Sequence, residues 1–417
     1  MKSSIFISYS WNESKIVDEI ESDISQLQLS LTRDVRDLKY KDSITKFMDQ
    51  IRESDYAILL ISDSYLKSKN CMVEARNLLK EREWDKKILP IVIGNLDIYN
   101  SNGRLQYTKY WKNQKDILEN ELADVTPISA ISAIKDLKAI EDIYLSINDF
   151  ISYISDIKHI NYEDLRKEGY KSILDALGMK DVTHLIELLL ISLMTDISKK
   201  EILLDEWFDK YNPTSDAYSI RASISKSKRN FDRAIINFDK SLALNDNNAY
   251  ALNNYGYMLM GLDQDPEKAK KLFAKAIKII PNFTEARLNL GCLLSHKFND
   301  DISAREQYQE IIKYNPTEAK VYNNLANIEI RNAVKSNTIN NKVTAKVVCE
   351  LYEKSLELNP NYIEAHLGYG NYLAEFMSDF CAAEKHFKKI TELDANAKCL
   401  VETLLERVDS LRKLNKK

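Results

Sequence analysis

Short apolar runs near the N-terminus predict the strands of a parallel β-sheet. The clearest are Ile5–Ile7, Ala57–Ile61 and Ile88–Ile93. Each run is apolar throughout rather than alternating, as expected of strands that helices cover on both faces. A weaker run over residues 27–31 carries leucine at every second position and predicts a fourth strand.

Segments with helical spacing separate these runs. Four of them place their apolar side chains on one face of a helix: Ile16, Val17, Ile20, Ile24 and Leu27; Ile44, Phe47, Met48 and Ile51; Met72, Ala75, Leu78 and Leu79; and Leu137, Ile140, Tyr144, Ile147, Ile151 and Ile154. The alternation of strand and helix predicts a doubly wound, flavodoxin-like α/β fold with a parallel sheet. A fifth strand is expected within residues 94–135, although the pattern does not place it.

From about residue 215 the chain repeats itself. An aromatic residue recurs with spacings of 35, 35, 44 and 35, at Phe238, Phe273, Tyr308, Tyr352 and Phe387. A small residue recurs upstream in the same phase, at Ala222, Gly256, Gly291, Ala326 and Gly370. Small residues let two antiparallel helices approach, the aromatic ring fills the gap, and a proline eight residues after three of the rings ends the second helix.

This pattern resembles the tetratricopeptide (TPR) family, whose unit is a helix-turn-helix of roughly 34 residues. The resemblance implies an all-α TPR solenoid of five units over about 215–395, followed by a capping helix over Val401–Leu411. The longer interval holds nine extra residues within Asn332–Asn341, and their polar composition predicts a solvated loop. We therefore expect three parts: a first domain over 1–158, a helical connector or degenerate repeat over 159–214, and the array over 215–417.

The composition excludes several classes of protein. A net charge of −4 gives no basic surface for nucleic acid. The longest apolar stretch, Leu185–Met194, is far shorter than the roughly 20 residues that span a bilayer. Five scattered cysteines, none in a CxxC pair, indicate reduced thiols and a cytoplasmic location, and the five histidines have no metal-ligand spacing. No cofactor, metal, membrane or nucleic-acid partner is expected.

Three segments of the first part resemble the TIR family over roughly residues 1–155. Ile5–Trp11 is similar to the family's first box, Arg33–Ile44 occupies the place of its BB loop, and Ser62–Glu74 is similar to the segment that ends in its catalytic glutamate. Two departures stand out. The BB loop lacks its usual glycine near Lys41, and Asn70 stands where many relatives have tryptophan.

The resemblance implies a bacterial enzyme that cleaves NAD as substrate, with Glu74 as the catalytic carboxylate. Strand ends converge at one edge of an open α/β sheet, so the segments after the first three strands are expected to meet there. Trp11 or Tyr40 would stack on a ring of the substrate, and Ser8 or Ser43 would contact its hydroxyls or phosphate. A neighbouring molecule's BB loop, with Lys39 and Tyr40, would cover bound NAD through self-association.

Each of these assignments has an alternative. Glu74 could instead complement the dipole of a helix whose first turn it occupies. Ser10 and Glu13 match a helix capping box, and Cys71 fits a packed thiol better than a nucleophile.

At the level of the whole chain, the first hypothesis is a NAD glycohydrolase or ADP-ribosyl cyclase. The TPR array would hold it inactive until an unknown protein or ligand trigger binds, in a role resembling bacterial antiphage defence. The alternative is a non-catalytic scaffold that assembles other TIR proteins.

Overall fold

The computed structural model describes residues 4–27, 29–33, 54–79, 84–123, 130–156, 160–339 and 341–414. The chain divides into two compact units, Met1–Asp246 and Asn247–Lys417. The helix expected over Ile44–Ile51 lies outside the described residues.

The first unit is built on a parallel sheet with strand order β2-β1-β3-β4-β5. The strands are β1 Ile5–Ser8, β2 Leu31–Arg33, β3 Tyr56–Ile61, β4 Ile88–Val92 and β5 Ile160–Asn161. Side chains of β3 alternate between two cores: Leu59 and Ile61 join one, and Ile58 and Leu60 join the other. Helices therefore cover both faces of the sheet, and the predicted doubly wound α/β fold is confirmed.

The helices of this unit follow the strands in the expected alternation and then continue as a helical series. They are α1 Ser14–Gln26, α2 Asp63–Lys67, α3 Lys69–Leu78, α4 Trp84–Lys87, α5 Ser101–Leu122, α6 Ile131–Asp156, α7 Tyr162–Lys167, α8 Lys171–Ala176, α9 Thr183–Leu193, α10 Ile197–Lys210, α11 Ser215–Ser227 and α12 Phe231–Leu244. One core includes residues of α3, α5 and α6, and the other includes residues of α1, α7, α8 and α9.

Two strand predictions are wrong. The strand expected over residues 27–31 begins only at Leu31, because Leu27 is the C-cap of helix α1 and is buried in the same core as the apolar face of that helix. The fifth strand does not lie within the described residues of 94–135, which contain the 22-residue helix α5. It is the two-residue strand β5, which pairs with β4 and is too short to show an apolar pattern.

Residues just beyond the expected domain boundary at 158 pack against the sheet. The Arg166 guanidinium contacts Asp23 of α1 at 2.8 Å, and Tyr170 donates to the same carboxylate at 3.0 Å. Leu165 and Leu174 are buried in the core that includes α1. We therefore propose that the first domain ends after this segment, and that the connector proper begins with the packed pair α9 and α10.

Antiparallel helix pairs make up the repeats. In the second unit the helices are α13 Ala249–Gly261, α14 Pro266–Ile279, α15 Thr284–Lys297, α16 Asp301–Tyr314, α17 Ala319–Lys335, α18 Lys342–Leu358, α19 Ile363–Tyr372, α20 Phe380–Leu393 and α21 Lys398–Leu414. A Cβ atom at Gly256 would lie 2.8 Å from Cε1 of Phe273, and one at Gly370 would lie 2.6 Å from Cε1 of Phe387. The aromatic rings therefore fill the space that the small residues leave, as the repeat pattern predicts.

The interval with nine extra residues differs from the expected loop. Helices α17 and α18 are 17 residues long, against 14 for α14 and α16, so part of the insertion extends both helices. Ala333 is buried and Ile339 packs against the last core cluster of the repeats. These two apolar residues explain why the segment is only partly solvated. Among the described residues, none of the helices has the length and apolar character needed to cross a membrane.

Candidate functional site

A buried chain of three side chains lies at the carboxyl ends of β1 and β3. Ser8 ends β1, is 1% exposed, and stands beside Leu59 in the parallel register. Its Oγ donates to Oε2 of Glu74 at 2.6 Å, and Oη of Tyr65 lies 3.0 Å from the same Oγ. Glu74 is 6% exposed. The expected convergence of strand ends thus holds for Ser8 and Glu74, whose roles stay predictions.

Both hydrogen bonds among Tyr65, Ser8 and Glu74 run toward the carboxylate. Ser8 has one hydroxyl proton and gives it to Glu74, so Tyr65 must be the donor to Ser8. Burial raises the pKa of Tyr65 well above its usual range, and the nearby Cys71 and Glu74 raise it further. Tyr65 therefore keeps its proton, and one oxygen of the Glu74 carboxylate is held in a fixed orientation.

The position of Glu74 in its helix argues against the dipole alternative. Helix α3 begins at Lys69, with Ser68 as the N-cap, so Glu74 lies in the second turn. The stabilisation of a carboxylate by a helix dipole falls off within the first turn. On the same helix, Arg76 contacts Asp142 of α6 at 2.6 Å, which fixes α3 against the domain.

A one-turn helix, Trp11–Glu13, follows the end of β1. The Trp11 side chain is 44% exposed, so its ring is accessible at this edge of the sheet. The capping-box prediction is wrong: within the described residues the Ser10 side chain makes no capping hydrogen bond. The Glu13 carboxylate turns instead to Ser64, whose Oγ donates to Oε1 at 2.5 Å.

Arg33 ends β2, at the entrance to the expected BB loop. Its guanidinium contacts Asp18 at 2.6 Å and Glu21 at 3.0 Å, both on α1, and lies over the ring of Tyr9. Helix α1 therefore fixes the residue from which the loop departs. The predicted loop residues Lys39, Tyr40, Lys41 and Ser43 lie outside the described residues.

Two further predictions concern the start of α3. The thiol of Cys71 is buried and donates to the backbone carbonyl of Tyr9 at 3.3 Å, as expected of a packed cysteine. Asn70, the second residue of α3, is exposed and carries an amide rather than an aromatic ring.

Residues 5–123 match the family model described as TIR domain. This part of the chain is a TIR domain. The match ends one residue after helix α5, before α6 and β5 complete the sheet and its cover. Ser8, Glu13, Tyr65 and Glu74 all lie inside it.

The remaining similarities are to curated proteins and to solved structures. Human and mouse protein O-mannosyl-transferase TMTC3 are 29% and 28% identical to this chain over 173 and 174 residues. Each match covers 38% of this chain and only 18% of that protein.

Among solved structures, yeast Tom70 is 16% identical with a TM-score of 0.43, covering 76% of this chain and 62% of its own. Pseudomonas aeruginosa PilF is 16% identical with a TM-score of 0.42, covering 52% and 90%. YrrB, a TPR protein with an unusual peptide-binding site, is 19% identical with a TM-score of 0.34, covering 47% and 94%.

Sequence reasoning missed three side chains of this site. Tyr65 and Ser64 lie inside the segment that carries Glu74. Their contacts depend on how a five-residue helix orients their side chains, which the sequence does not show. Ser62 caps that helix by accepting from Tyr65 N at 3.0 Å and lies 2.9 Å from Ser64 Oγ. A cluster of three polar residues directly after a buried strand was the available signal.

Proposed function

We propose that the protein is a TIR-type NAD glycohydrolase whose activity the TPR array regulates. The observation that supports this most directly is the buried Ser8–Glu74 hydrogen bond at the carboxyl edge of the sheet. A carboxylate that is 6% exposed, oriented by a hydroxyl and placed at the ligand-binding edge of an α/β sheet, is suited to stabilising positive charge.

The chemistry needs little else from the protein. The nicotinamide ring of NAD is already cationic and leaves as a neutral molecule, so no general acid is required. The ribose left behind has an oxocarbenium-like transition state, which a fixed carboxylate stabilises. In hydrolysis, water then adds to the ribose carbon and releases a proton, giving ADP-ribose; in cyclisation, a nitrogen of the adenine takes the place of water. Trp11 offers an accessible ring for stacking.

Incubating the full chain with NAD and identifying the products by mass spectrometry tests the proposal. Release of nicotinamide with ADP-ribose supports hydrolysis, and release with a cyclic product supports an ADP-ribosyl cyclase. No release at micromolar protein over hours, by the wild type with crowding agents that favour association and by Arg166→Gln, which breaks the ion pair between helices α7 and α1, would contradict it.

We further propose that the repeats bind a protein trigger, in a cytoplasmic role such as antiphage defence. Amide side chains line equivalent positions of successive repeats: Asn289 Nδ2 donates to Asn253 at 3.0 Å, and Asn324 Nδ2 lies 3.3 Å from Tyr308 Oη. Amides both donate and accept, which suits them to contacts with a polypeptide backbone. All five cysteines are free thiols, consistent with a reducing compartment.

We also propose that the TIR domain acts as an assembly. Exposed Asn70 supplies no ring at the start of α3, so a neighbour's Lys39 and Tyr40 would complete the cover over NAD. Specific activity should then rise with protein concentration. The same exposed amide also favours the alternative, a scaffold that recruits other TIR proteins without turnover; the NAD incubation separates the two.

A further inference from the structure

Glu13 is a second carboxylate at the carboxyl edge of the sheet, and it belongs to a separate hydrogen-bonded chain. Its Oε1 accepts from Ser64 Oγ at 2.5 Å, and Ser64 Oγ lies 2.9 Å from Ser62 Oγ. Ser64 and Tyr65 are consecutive residues of α2, so one short helix anchors both the Glu13 chain and the Glu74 chain. Two carboxylates are thus anchored to consecutive residues of one helix, Glu13 by Ser64 and Glu74 through Ser8 and Tyr65.

The second carboxylate oxygen of Glu13 differs from the first. Within the described part of the chain, Oε2 of Glu13 is buried and has no hydrogen-bond partner. Leaving a buried acceptor unsatisfied costs free energy, and more so for a charged group. Such an oxygen, at the edge where α/β proteins bind ligands, is suited to accept hydrogen bonds from a bound molecule.

We propose that Glu13 binds the hydroxyls of the ribose attached to adenine and thereby selects NAD over NADP. This inference rests on the proposed function, in which Glu74 faces the ribose attached to nicotinamide. NAD carries two ribose diols, and the site carries two fixed carboxylates. Trp11, two residues before Glu13 and 44% exposed, then stacks on the adenine ring.

The chemistry of the two dinucleotides differs where Glu13 would act. A carboxylate accepts hydrogen bonds from the 2′-hydroxyl of NAD, as acidic residues do in other dinucleotide-binding sites. NADP carries a phosphate on that oxygen. The esterified oxygen has no proton to donate, and the negative phosphate repels the carboxylate. Glu13 therefore works by both attraction and exclusion.

Steady-state kinetics of the full chain with NAD and with NADP test the inference. Glu13→Gln keeps an acceptor for Ser64 but removes the charge. We expect the ratio of kcat/KM for NAD to that for NADP to fall by about tenfold or more, the change lying mainly in KM. Glu163→Gln, the same substitution at an exposed position of α7, should leave the ratio unchanged. An unchanged ratio in folded Glu13→Gln overturns the inference while the proposed function stands.

Two further measurements keep the outcomes separate. If neither the wild type nor Arg166→Gln turns over either dinucleotide, the proposed function fails. Calorimetric binding of NAD and NADP to wild type and Glu13→Gln then decides the role of Glu13. An equal preference in both proteins, or no binding at all, overturns it. If Glu13→Gln does not fold, Ser64→Ala serves in its place, because it removes the donor that orients Glu13. It should lower the preference for NAD over NADP by about threefold or more. An unaltered preference overturns the inference.

Discussion

Ser8 donates a 2.6 Å hydrogen bond to Glu74 across 66 positions of the sequence, and this bond links the end of a buried strand to the second turn of a helix. The strand is fixed by its neighbours on both sides, and the helix is fixed by the Arg76–Asp142 ion pair. In the proposed reaction the carboxylate would therefore need no reorganisation before it meets a developing positive charge, which is the condition under which electrostatic stabilisation is strongest.

Replacing Glu74 with glutamine should abolish most NAD cleavage without unfolding the domain. Glutamine keeps the size of the side chain and an oxygen that accepts from Ser8, but it carries no charge. Loss of one fixed electrostatic partner costs on the order of a hundredfold or more in kcat. Nicotinamide release and thermal unfolding should be measured on the same preparation.

The matched control for Glu74 is Glu141→Gln, which removes a half-exposed carboxylate that pairs with Lys115 on the surface of the same domain. It should retain wild-type turnover. A folded Glu74→Gln that cleaves NAD as fast as Glu141→Gln would show that Glu74 is not the catalytic carboxylate.

Two glycines of helix α13 should respond in opposite ways to alanine. A Cβ at Gly256 would lie 2.8 Å from the ring of Phe273, whereas one at Gly261 meets no described atom within 4 Å. Gly256→Ala should therefore destabilise the repeats by about 1–3 kcal/mol through overpacking. Gly261→Ala should stabilise them by up to about 1 kcal/mol, because alanine favours the helix.

Chemical denaturation of the full chain, followed by circular dichroism, measures both glycine variants. Equal effects of the two substitutions would mean that the ring does not occupy the space above Gly256.

These repeat contacts were predictable because they recur. Five aromatic residues in phase with five small residues form a pattern that a single contact would not reveal. The structure places an aromatic ring against Gly256, Gly291 and Gly370. The proximity of Ser8 and Glu74 was predictable for another reason, since parallel strands bring their carboxyl ends to one edge.

Other features left little trace in the sequence. Strand β5 has two residues, and its pairing with β4 depends on the packing of the following helices rather than on an apolar run. Ser10 and Glu13 match the capping-box spacing, but the turn they enclose is a single 3-10 turn, and Ser64 competes for the carboxylate. Spacing alone cannot reveal that competition, because Ser64 comes from a different strand-helix connection.

A histidine pair in the last repeats should make stability fall at acid pH. Nε2 of His366 lies 3.0 Å from the Pro360 carbonyl and must donate to it, so its Nδ1 accepts from Nδ1 of His386 at 2.9 Å. Burial, and then the electrostatic effect of the neighbouring His366, lowers the pKa of His386 to about 4 from an ordinary 6.5. Between these values the unfolded chain binds more protons, so stability is complete above about pH 6.5 and falls as the pH approaches 4.

The free energy of unfolding should fall by on the order of 1–2 kcal/mol over this range. This is less than the full pKa shift of His386 would give, because the ring is only partly buried. Melting temperatures of wild type and His386→Gln between pH 4 and 8 check it, with His296→Gln, an exposed histidine, as control. A pH profile of His386→Gln that follows the wild type would contradict the assignment.

Arg166 should couple the segment that precedes the connector to the TIR site through helix α1. Its guanidinium contacts Asp23 at 2.8 Å and Glu19 at 3.1 Å. The same helix holds Arg33 at the entrance to the BB loop and begins one residue after Glu13. If the repeats restrain the enzyme through α1, Arg166→Gln in the full chain should raise basal NAD turnover by severalfold. It should also lower the melting temperature, because Asp23, which is 3% exposed, loses its cation.

Lys167→Gln is the neighbouring control for Arg166→Gln, since Lys167 pairs with Asp164 of the same helix and is 73% exposed. It should change neither the melting temperature nor the basal rate. Basal turnover and unfolding have to be measured together, because destabilisation by itself would reduce activity rather than raise it. A destabilised Arg166→Gln with unchanged or lower turnover per folded molecule would mean that the ion pair only fastens helix α7 to helix α1. Any regulation by the repeats would then reach the site by another route.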